Sequence, residues 1–280
     1  MADIPQVTLP DGTRVPALGL GTWRMGERPE ARSREIAALR RGFDLGLTLV
    51  DTAEMYAEGG SESVVGEAIA GRRDEVFVVS KVYPHHAGRR SAVLACERSL
   101  ARLRIDRIDL YLLHWRGDVP LAETIEAFER LRRDGKIARW GVSNFDVGDL
   151  DELAALPAGS ACATDQVLYH LGERGIERGV LVRCRAWPMP VMAYSPFDEG
   201  RLLENGTLLR IARDAGTSPA SLALSWLIAH RDVIAVPKSA RIEHVDAIAS
   251  AAGFRMTAEV MTAIDRMFPP PRKRTPLAMI

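Results

Sequence analysis

Residues 108–142 read IDLYLLHWRGDVPLAETIEAFERLRRDGKIARWGV and contain one complete strand–helix–strand unit. Ile108–Leu113 and Ile137–Val142 are apolar on most successive positions, which is typical of strands that are covered on both faces. Between them, the apolar positions of Ala122–Arg133 recur at helical spacing, and Gly135 provides a C-terminal stop. The stretch therefore predicts two parallel strands joined through a helix.

The same alternation extends along most of the chain. Eight apolar runs recur at a spacing of roughly 30 residues: Ala17–Gly21, Leu47–Val50, Val76–Ser80, Ile108–Leu113, Ile137–Val142, Ala161–Val167, Pro190–Tyr194 and Val233–Val236. Helical patterns separate them: Glu35–Leu45, Ser61–Ala70, Arg90–Leu103, Ala122–Arg133, Asp149–Leu156, Glu177–Cys184, Leu208–Ala215, Pro219–Ala229 and Ile242–Ala251. Ser61 and Asp146 are the predicted N-caps of two of these helices. Eight such units close into a barrel, so we predict an α/β protein with the (β/α)8 TIM-barrel fold over residues 1–280.

Two further elements flank the predicted barrel. Asp11-Gly12 between the β-type runs Gln6–Leu9 and Thr13–Pro16 predicts an N-terminal β-hairpin, and Ala258–Arg266 predicts an extra C-terminal helix. A doubly wound open sheet is the competing fold, and it would carry a Gly-x-Gly-x-x-Gly turn after an early strand. Gly19-Leu20-Gly21 has no third glycine in register, which argues against that fold.

Composition excludes several classes of function. The chain has 37 basic and 37 acidic side chains, so no overall field attracts nucleic acid or acidic lipid. No apolar run approaches the roughly 18 residues of a membrane span. Cys96, Cys162 and Cys184 fit neither a disulfide framework nor a metal-ligand pair, and the N-terminal residues do not resemble a signal peptide. We therefore expect a cytoplasmic protein with neither nucleic-acid nor membrane partners.

Four titratable side chains occur where the second, third and fourth barrel strands end: Asp51, Tyr56, Lys81 and His114. Active sites of such barrels lie at this carboxyl end. A tyrosine hydroxyl, with a reference pKa of about 10, is too weak an acid to work unaided, and an adjacent Lys81 would lower that value. Asp51 would hold Lys81 through a charge-assisted bond, and His114 would orient a substrate oxygen. We predict that these four residues are catalytic.

The later strand ends carry polar groups instead. Ser143-Asn144 and Gln166 can pair with a carboxamide, Tyr194 can stack on a flat ring, and Lys238-Ser239 can hold a phosphate.

Large rings and few charges surround the predicted mouth, which suits small or aromatic carbonyl compounds. The predicted substrate-binding residues are Trp23, Met55, Tyr56, Tyr83, His114 and Trp115. Adjacent His85 and His86 would point apart and lack an evident third ligand, so no metal site is predicted.

Several motifs resemble those of the aldo-keto reductases, and the resemblance runs nearly from end to end. They are Gly46–Ala53 followed by Tyr56 and Glu62–Gly66, then Leu110–Trp115, Gly141–Phe145, Ala193–Pro196 and Val236–Ser239. Residues 51–60 and 166–171 are similar to the bacterial branch that reduces methylglyoxal or 2,5-diketogluconate-type carbonyls.

The resemblance implies a single aldo-keto reductase-like barrel domain, a monomer, that reduces aldehydes or ketones with NADPH. Tyr56 would protonate the carbonyl oxygen while the cofactor's hydride goes to the carbonyl carbon, with small dicarbonyls or aromatic and sugar-derived carbonyls as substrates. The implied cofactor-binding residues are Gly21, Thr22, Trp23, Asp51, Ser143, Asn144, Gln166, Tyr194, Ser195, Pro196, Phe197, Lys238, Ser239, Arg241 and His244.

The chain departs from the family pattern at several cofactor positions. Asp165 stands where asparagine is common, and we expect it to act as a local cap. His244 replaces an arginine for the 2′-phosphate, so either Arg241 substitutes or the preference for NADPH is relaxed. Ala247-Ile248 replace a Glu-Asn pair, and the short segment Phe197–Leu208 predicts a brief strap over the cofactor.

Two other classes of function stay open at this point. A regulatory or structural protein that binds the cofactor would have the same barrel, because fold does not guarantee activity. A phosphate-sugar isomerase would require a glycine-rich phosphate loop after the seventh and eighth strands, which Lys238-Ser239 matches poorly. The four intact catalytic positions favour the reductase.

Overall fold

The computed structural model describes residues 3–280, so the first two residues of the predicted domain lie outside it. The strands are β1 (Gln6–Thr8), β2 (Arg14–Pro16), β3 (Leu20–Gly21), β4 (Leu49–Asp51), β5 (Phe77–Val82), β6 (Ile108–Leu113), β7 (Ile137–Ser143), β8 (Asp165–Leu168), β9 (Val191–Tyr194) and β10 (Val233–Ala235). The helices are α1 (Arg32–Asp44), α2 (Gly60–Ala68), α3 (Ser91–Leu103), α4 (Leu121–Arg133), α5 (Val147–Ala155), α6 (Val180–Ala186), α7 (Gly206–Asp214), α8 (Pro219–Ala229), α9 (Ile242–Ser250) and α10 (Ala258–Met267).

Strands β3 to β10 form one parallel sheet in which each strand pairs with the next along the chain. The sheet closes on itself because Leu18 bridges Ala235 and Gly21 bridges Lys238, both in parallel. At this seam the amide of Gly21 donates to the carbonyl of Pro237 at 2.8 Å. The predicted (β/α)8 barrel is confirmed.

The amino end of the barrel is sealed by the β1–β2 hairpin. Its apolar side chains Val7, Leu9 and Val15 pack with residues of the barrel interior such as Leu49 and Leu112. The turn is held by Asp11, whose carboxylate accepts the amide of Thr13 at 2.9 Å. The hairpin therefore covers the amino end of the barrel with apolar side chains.

The outer layer of helices is fixed by apolar packing and by one buried ion pair. Glu62 on α2 is fully buried; it accepts the hydroxyl of Ser80 and the guanidinium of Arg102, each at 2.6 Å. These bonds dock α2 against β5 and α3.

The structure corrects two local predictions. Ser61 lies inside α2 and donates to Thr22 instead of capping the helix, whereas Asp146 caps α5 as predicted. The sixth barrel strand begins only at Asp165, because Gly159–Ala161 form a tight 3-10 turn.

Glycine is required where the first barrel strand passes Leu49. A Cβ at Gly19 would lie 2.6 Å from a Leu49 methyl and 2.8 Å from its carbonyl oxygen. We expect Gly19→Ala to lower the free energy of unfolding by about 2 kcal/mol, because a packed interior tolerates added volume poorly. Gly206→Ala is the matched control, since a Cβ there meets nothing within 4 Å. Urea unfolding of both variants checks this, and equal stability of the two would contradict it.

Candidate active site

The four predicted catalytic residues meet at the carboxyl end of adjacent strands. Asp51 ends β4, Lys81 lies in β5 and His114 directly follows β6. Tyr56 begins a short turn after β4. Because β4, β5 and β6 are paired neighbours, their ends bring these side chains into one group.

A single ammonium group connects the cluster. Lys81 Nζ donates to Asp51 Oδ2 at 2.8 Å, to the Thr52 carbonyl at 3.0 Å and to Tyr56 Oη at 3.0 Å. Lys81 is fully buried, and these three acceptors match its three N–H donors. Since the Tyr56 hydroxyl accepts this bond, its own hydrogen is left to donate elsewhere.

The pKa of Tyr56 is higher than the simple sequence argument predicted. Burial raises the pKa of the hydroxyl, the ammonium of Lys81 lowers it, and the nearby charge of Asp51 raises it again. The net effect is a pKa above the ordinary value, so the expected net lowering is wrong, although the direction of the Lys81 contribution is correct. Tyr56 is therefore a protonated phenol at neutral pH.

Lys81 stays charged despite its burial. Burial would lower its pKa, but Asp51 and then Tyr56 together raise it above the ordinary value. Asp51 uses its second oxygen to accept the side-chain amide of Gln166 at 2.8 Å.

His114 is neutral. Burial and the charge of Lys81 hold its pKa well below the ordinary value. Its ring centroid lies 5.7 Å from that of Tyr56, and its Nδ1 has no hydrogen-bond partner within residues 3–280. A neutral imidazole carries one N–H, so His114 can donate a hydrogen bond without changing the charge of the site.

The predicted carboxamide-binding residues form a connected polar cluster beside Asp51. Ser143 Oγ donates to the Gln166 carbonyl at 2.7 Å, and Tyr194 Oη donates to Asn144 Oδ1 at 2.9 Å. Asn144 has a φ of 59°, which turns its backbone sharply after β7. Within residues 3–280 no donor reaches the side-chain oxygen of Gln166, so it is available to accept an N–H from a carboxamide. The cluster therefore fits a nicotinamide.

Gly21 and Thr22 lie at the barrel seam, and the Gly21 amide is already used there by the Pro237 carbonyl. Gly21 bridges Lys238, whereas the Thr22 hydroxyl donates to the Asp51 carbonyl at 2.9 Å and accepts from Ser61 at 2.8 Å. The Thr22 hydroxyl thus fixes the loop after β3 against Asp51 and Ser61.

Lys238 lies among other cations. Burial lowers its pKa, Glu35 and Glu27 raise it, and Arg24 and Arg28 lower it further. The two arginines belong to the loop after β3, which meets Lys238 through the seam at Gly21. Burial is therefore the main cause of the lowered Lys238 pKa, and the nearby guanidinium groups are further donors of the kind that bind a phosphate.

The residues after Lys238 turn tightly into α9. Ser239 Oγ accepts the amide of Arg241 at 3.1 Å, and His244 is exposed on the first turns of α9. After β9, Ser195 has a φ of 49°, Pro196 is buried, and Phe197 leads into a short helical segment, Asp198–Glu204. The connection from β9 to α7 thus consists of residues 195–205.

Asp165 is buried where the family commonly has asparagine. Its Oδ1 accepts the amide of Phe145, 20 residues away, at 3.4 Å, and its Oδ2 has no partner within residues 3–280, so the expected local cap is wrong. Burial raises its pKa well above the ordinary value, which favours the neutral carboxylic acid. A neutral Asp165 resembles asparagine in shape and charge.

Aromatic rings surround the mouth. The ring centroids of Trp23 and Tyr56 lie 5.0 Å apart, and those of Tyr83 and Trp115 lie 6.1 Å apart. Trp23 is 43% exposed, and Met55 is partly exposed. Contacts of His114 with Tyr56 at 5.7 Å and with Trp115 at 4.9 Å join these two pairs, so the predicted aromatic substrate residues lie next to one another.

Sequence reasoning missed several residues at this end. Arg24 and Arg28 belong to no recognisable sequence motif. The sequence does not distinguish Glu54 from an exposed acidic residue, because its partners lie far away along the chain. The backbone of Ile280 reaches the Tyr194 hydroxyl. Burial raises the pKa of this hydroxyl and the hydrogen bond to Ile280 lowers it, with a net rise to about 12. No local pattern could have shown that the chain terminus lies at the mouth.

Within residues 3–280, no cluster of His, Cys, Asp or Glu is arranged to hold a metal ion. No helix in the same range is long and apolar enough to cross a membrane.

Comparison with known proteins agrees with this geometry. A model of the aldo/keto reductase family matches residues 17–268. Methylglyoxal reductase YeaE of Escherichia coli (strain K12) is 51% identical over 271 residues, 95% of either chain. Glyoxal reductase of Bacillus subtilis (strain 168) is 34% identical, covering 93% of this chain and 92% of the relative. A crystal structure of an aldo/keto reductase from Klebsiella pneumoniae with NADP and acetate superposes with a TM-score of 0.96 at 49% identity, covering 99% of this chain and 100% of that one. The chain belongs to the aldo/keto reductase family.

Proposed function

We propose that this protein is an NADPH-dependent oxidoreductase that reduces aldehydes and ketones to alcohols, with Tyr56 as the proton donor. The observation that carries the proposal is the 3.0 Å bond from Lys81 Nζ to Tyr56 Oη, backed by Asp51 at 2.8 Å. A phenol whose oxygen accepts from a buried ammonium keeps its own proton free to donate. The family membership and the NADP-bound relative support the same reaction.

Each side chain has one task in this reaction. His114, neutral, donates its N–H to the carbonyl oxygen and orients it towards Tyr56. Tyr56 gives its proton to that oxygen, and Lys81 stabilises the resulting phenolate. Asp51 keeps Lys81 in place and charged. Bound NADPH supplies the hydride that reaches the carbonyl carbon.

The residues present fit the cofactor. Gln166, Ser143 and Asn144 would hold the carboxamide, and Tyr194, which is partly exposed, would stack on the ring. Lys238, with Arg24 and Arg28 nearby, would bind the adenosine 2′-phosphate. The guanidinium groups of Arg24 and Arg28 would compensate for the histidine at position 244.

We propose small dicarbonyl compounds as the substrate class. Two relatives are named for methylglyoxal and glyoxal, and the aromatic mouth offers apolar contact with few charges. The proposal includes a monomer in the cytoplasm, a compartment supported by three buried cysteines that are all unbridged.

Removing the Tyr56 proton should abolish most of the turnover. We expect Tyr56→Phe to lower kcat for methylglyoxal by about a thousandfold, because a positioned acid contributes a factor of this order. The Kd for NADPH, measured by tryptophan quenching, should stay unchanged. Tyr83→Phe removes a neighbouring hydroxyl that is not bonded to Lys81 and should keep nearly full activity. Similar rates for the two variants would refute the assignment of the acid.

The raised pKa of Tyr56 gives a pH profile with a definite sign. Reduction requires the protonated phenol, so its rate should stay flat from about pH 6 to 9 and fall only at higher pH. Alcohol oxidation requires the phenolate and should rise over the same high range. Single-turnover rates in both directions test this; a reduction rate that falls through pH 7 would show a lowered pKa instead.

Lys238 should discriminate between the two nicotinamide cofactors. We expect Lys238→Met to weaken NADPH binding by about tenfold, because one charge-assisted phosphate contact is lost. NADH, which lacks the 2′-phosphate, should bind as before. Lys273→Met, at an exposed lysine of the C-terminal tail, is the control. Titration calorimetry with both cofactors measures the difference, and an equal loss for NADPH and NADH would contradict the role of Lys238.

A further inference from the structure

Glu54 is a buried acid in the turn between Asp51 and Tyr56, and the mechanism above does not use it. Its side chain is 5% exposed. We propose that Glu54 is a positioning residue that clamps the segment Tyr83–His86, here called the 83–86 loop, and thereby sets selectivity for bulky aromatic carbonyls. The inference rests on the proposed function for its substrate, but the clamp itself can be measured separately.

Glu54 binds both ends of this loop through one oxygen. Its Oε1 accepts the backbone amide of Tyr83 at 2.8 Å and lies 3.0 Å from Nδ1 of His86. Its Oε2 lies 3.8 Å from the guanidinium of Arg98 on α3. The Glu54 amide donates to the Lys81 carbonyl at 3.3 Å, so the acid is anchored to β5 through its own backbone. A buried carboxylate with these partners is compensated.

The 83–86 loop in turn forms one wall of the mouth. The Tyr83 ring lies 6.1 Å from Trp115 and 4.7 Å from His85, and Trp115 lies 4.9 Å from His114. Residues 84–86 make a single 3-10 turn. The orientation of Tyr83 relative to Trp115 therefore depends on the bonds that Glu54 Oε1 accepts.

A second contact shows how closely the loop is seated. A Cβ at Gly117, in the loop after β6, would lie 2.5 Å from Cβ of Pro84. The 83–86 loop is thus pressed against the neighbouring loop on one side and bound by Glu54 on the other. His86 is 34% exposed at its side chain, so its ring is held by Glu54 and by contacts with the rings of His85 and Tyr83 rather than by full burial.

The position of this wall matters for large substrates and not for small ones. A small dicarbonyl needs only Tyr56 and His114 at its reacting carbonyl. An aromatic aldehyde extends further and packs against Tyr83 and Trp115. Loosening the loop should therefore raise KM for the aromatic substrate while the chemical step keeps its rate.

The test compares Glu54→Ala and Glu54→Gln with two substrates, methylglyoxal and benzaldehyde. We expect Glu54→Ala to raise KM for benzaldehyde about tenfold, within the range typical of hydrophobic pocket contacts, with kcat and the values for methylglyoxal within about twofold. Glu54→Gln keeps an acceptor for the Tyr83 amide and should show a smaller rise. The Kd for NADPH should not change. An equal change of KM for both substrates, or no change for either, would overturn the proposal.

His86 supplies a matched pair of variants. The side-chain amide of asparagine places a donor near the position of imidazole Nδ1, so His86→Asn should keep the benzaldehyde KM near the wild-type value. His86→Ala should raise it. If the two variants behave alike, the Glu54–His86 bond does not position the loop.

Hydrogen exchange separates the clamp from the reaction. The peptide containing Tyr83 to Ala87 should exchange faster in Glu54→Ala than in wild type, with Glu54→Gln between them. Unchanged exchange would refute the clamp whatever the kinetics show. The proposed function would be refuted if the wild-type protein oxidised NADPH with neither substrate. If the Tyr83–Ala87 peptide were nevertheless protected from exchange in the wild type and not in Glu54→Ala, the clamp would still be supported.

Discussion

The buried ammonium of Lys81 is the constraint on which the functional end of this barrel depends. An isolated charge in a protein interior costs several kcal/mol, and the cost is offset only by close, well-directed partners. Here the partners are the Asp51 carboxylate, the Thr52 carbonyl and the Tyr56 hydroxyl. The requirement to satisfy the ammonium thus places the phenol at the mouth. The bond that stabilises the buried charge is also the bond that stabilises a phenolate.

The barrel makes this arrangement predictable from sequence, because side chains alternate between its inside and its outside. Leu49, Val79 and Leu112 all pack in the barrel interior. Two residues after each of them come Asp51, Lys81 and His114, which must then point inward as well. The same rule relates Met192 to Tyr194, and it explains why strand-end residues could be selected without coordinates.

The same rule explains which features of the site the sequence could not predict. Asp165 precedes the inward-pointing Gln166, so it faces the other way, and only the structure shows that its carboxyl group is buried with one partner at 3.4 Å. Glu54 and Arg28 lie in loops after strands, where no period fixes direction. Their partners are brought close by the barrel and not by sequence: Glu54 and His86 are 32 residues apart. The predicted direction of the Tyr56 pKa shift was wrong for a similar reason. Burial raises this pKa more than Lys81 lowers it, and the extent of burial depends on the whole fold.

Backbone strain is concentrated at the carboxyl end of the barrel, where the candidate active site also lies. Within residues 3–280, the non-glycine residues with positive φ other than Arg104 all follow β3, β4, β7 or β9, at the carboxyl end: Arg24, Ala57, Glu58, Asn144, Ser195, Asp198 and Glu199. Such conformations cost of order 1–3 kcal/mol each when they lie in sparsely populated regions, and they persist only where the surroundings enforce them. The amino end, closed by the hairpin and its apolar cluster, contributes packing free energy that helps to offset the cost of the strained turns at the carboxyl end. A rigid, strained rim holds Tyr56 and Asn144 in place before any ligand arrives, so little reorganisation is left for the reaction itself.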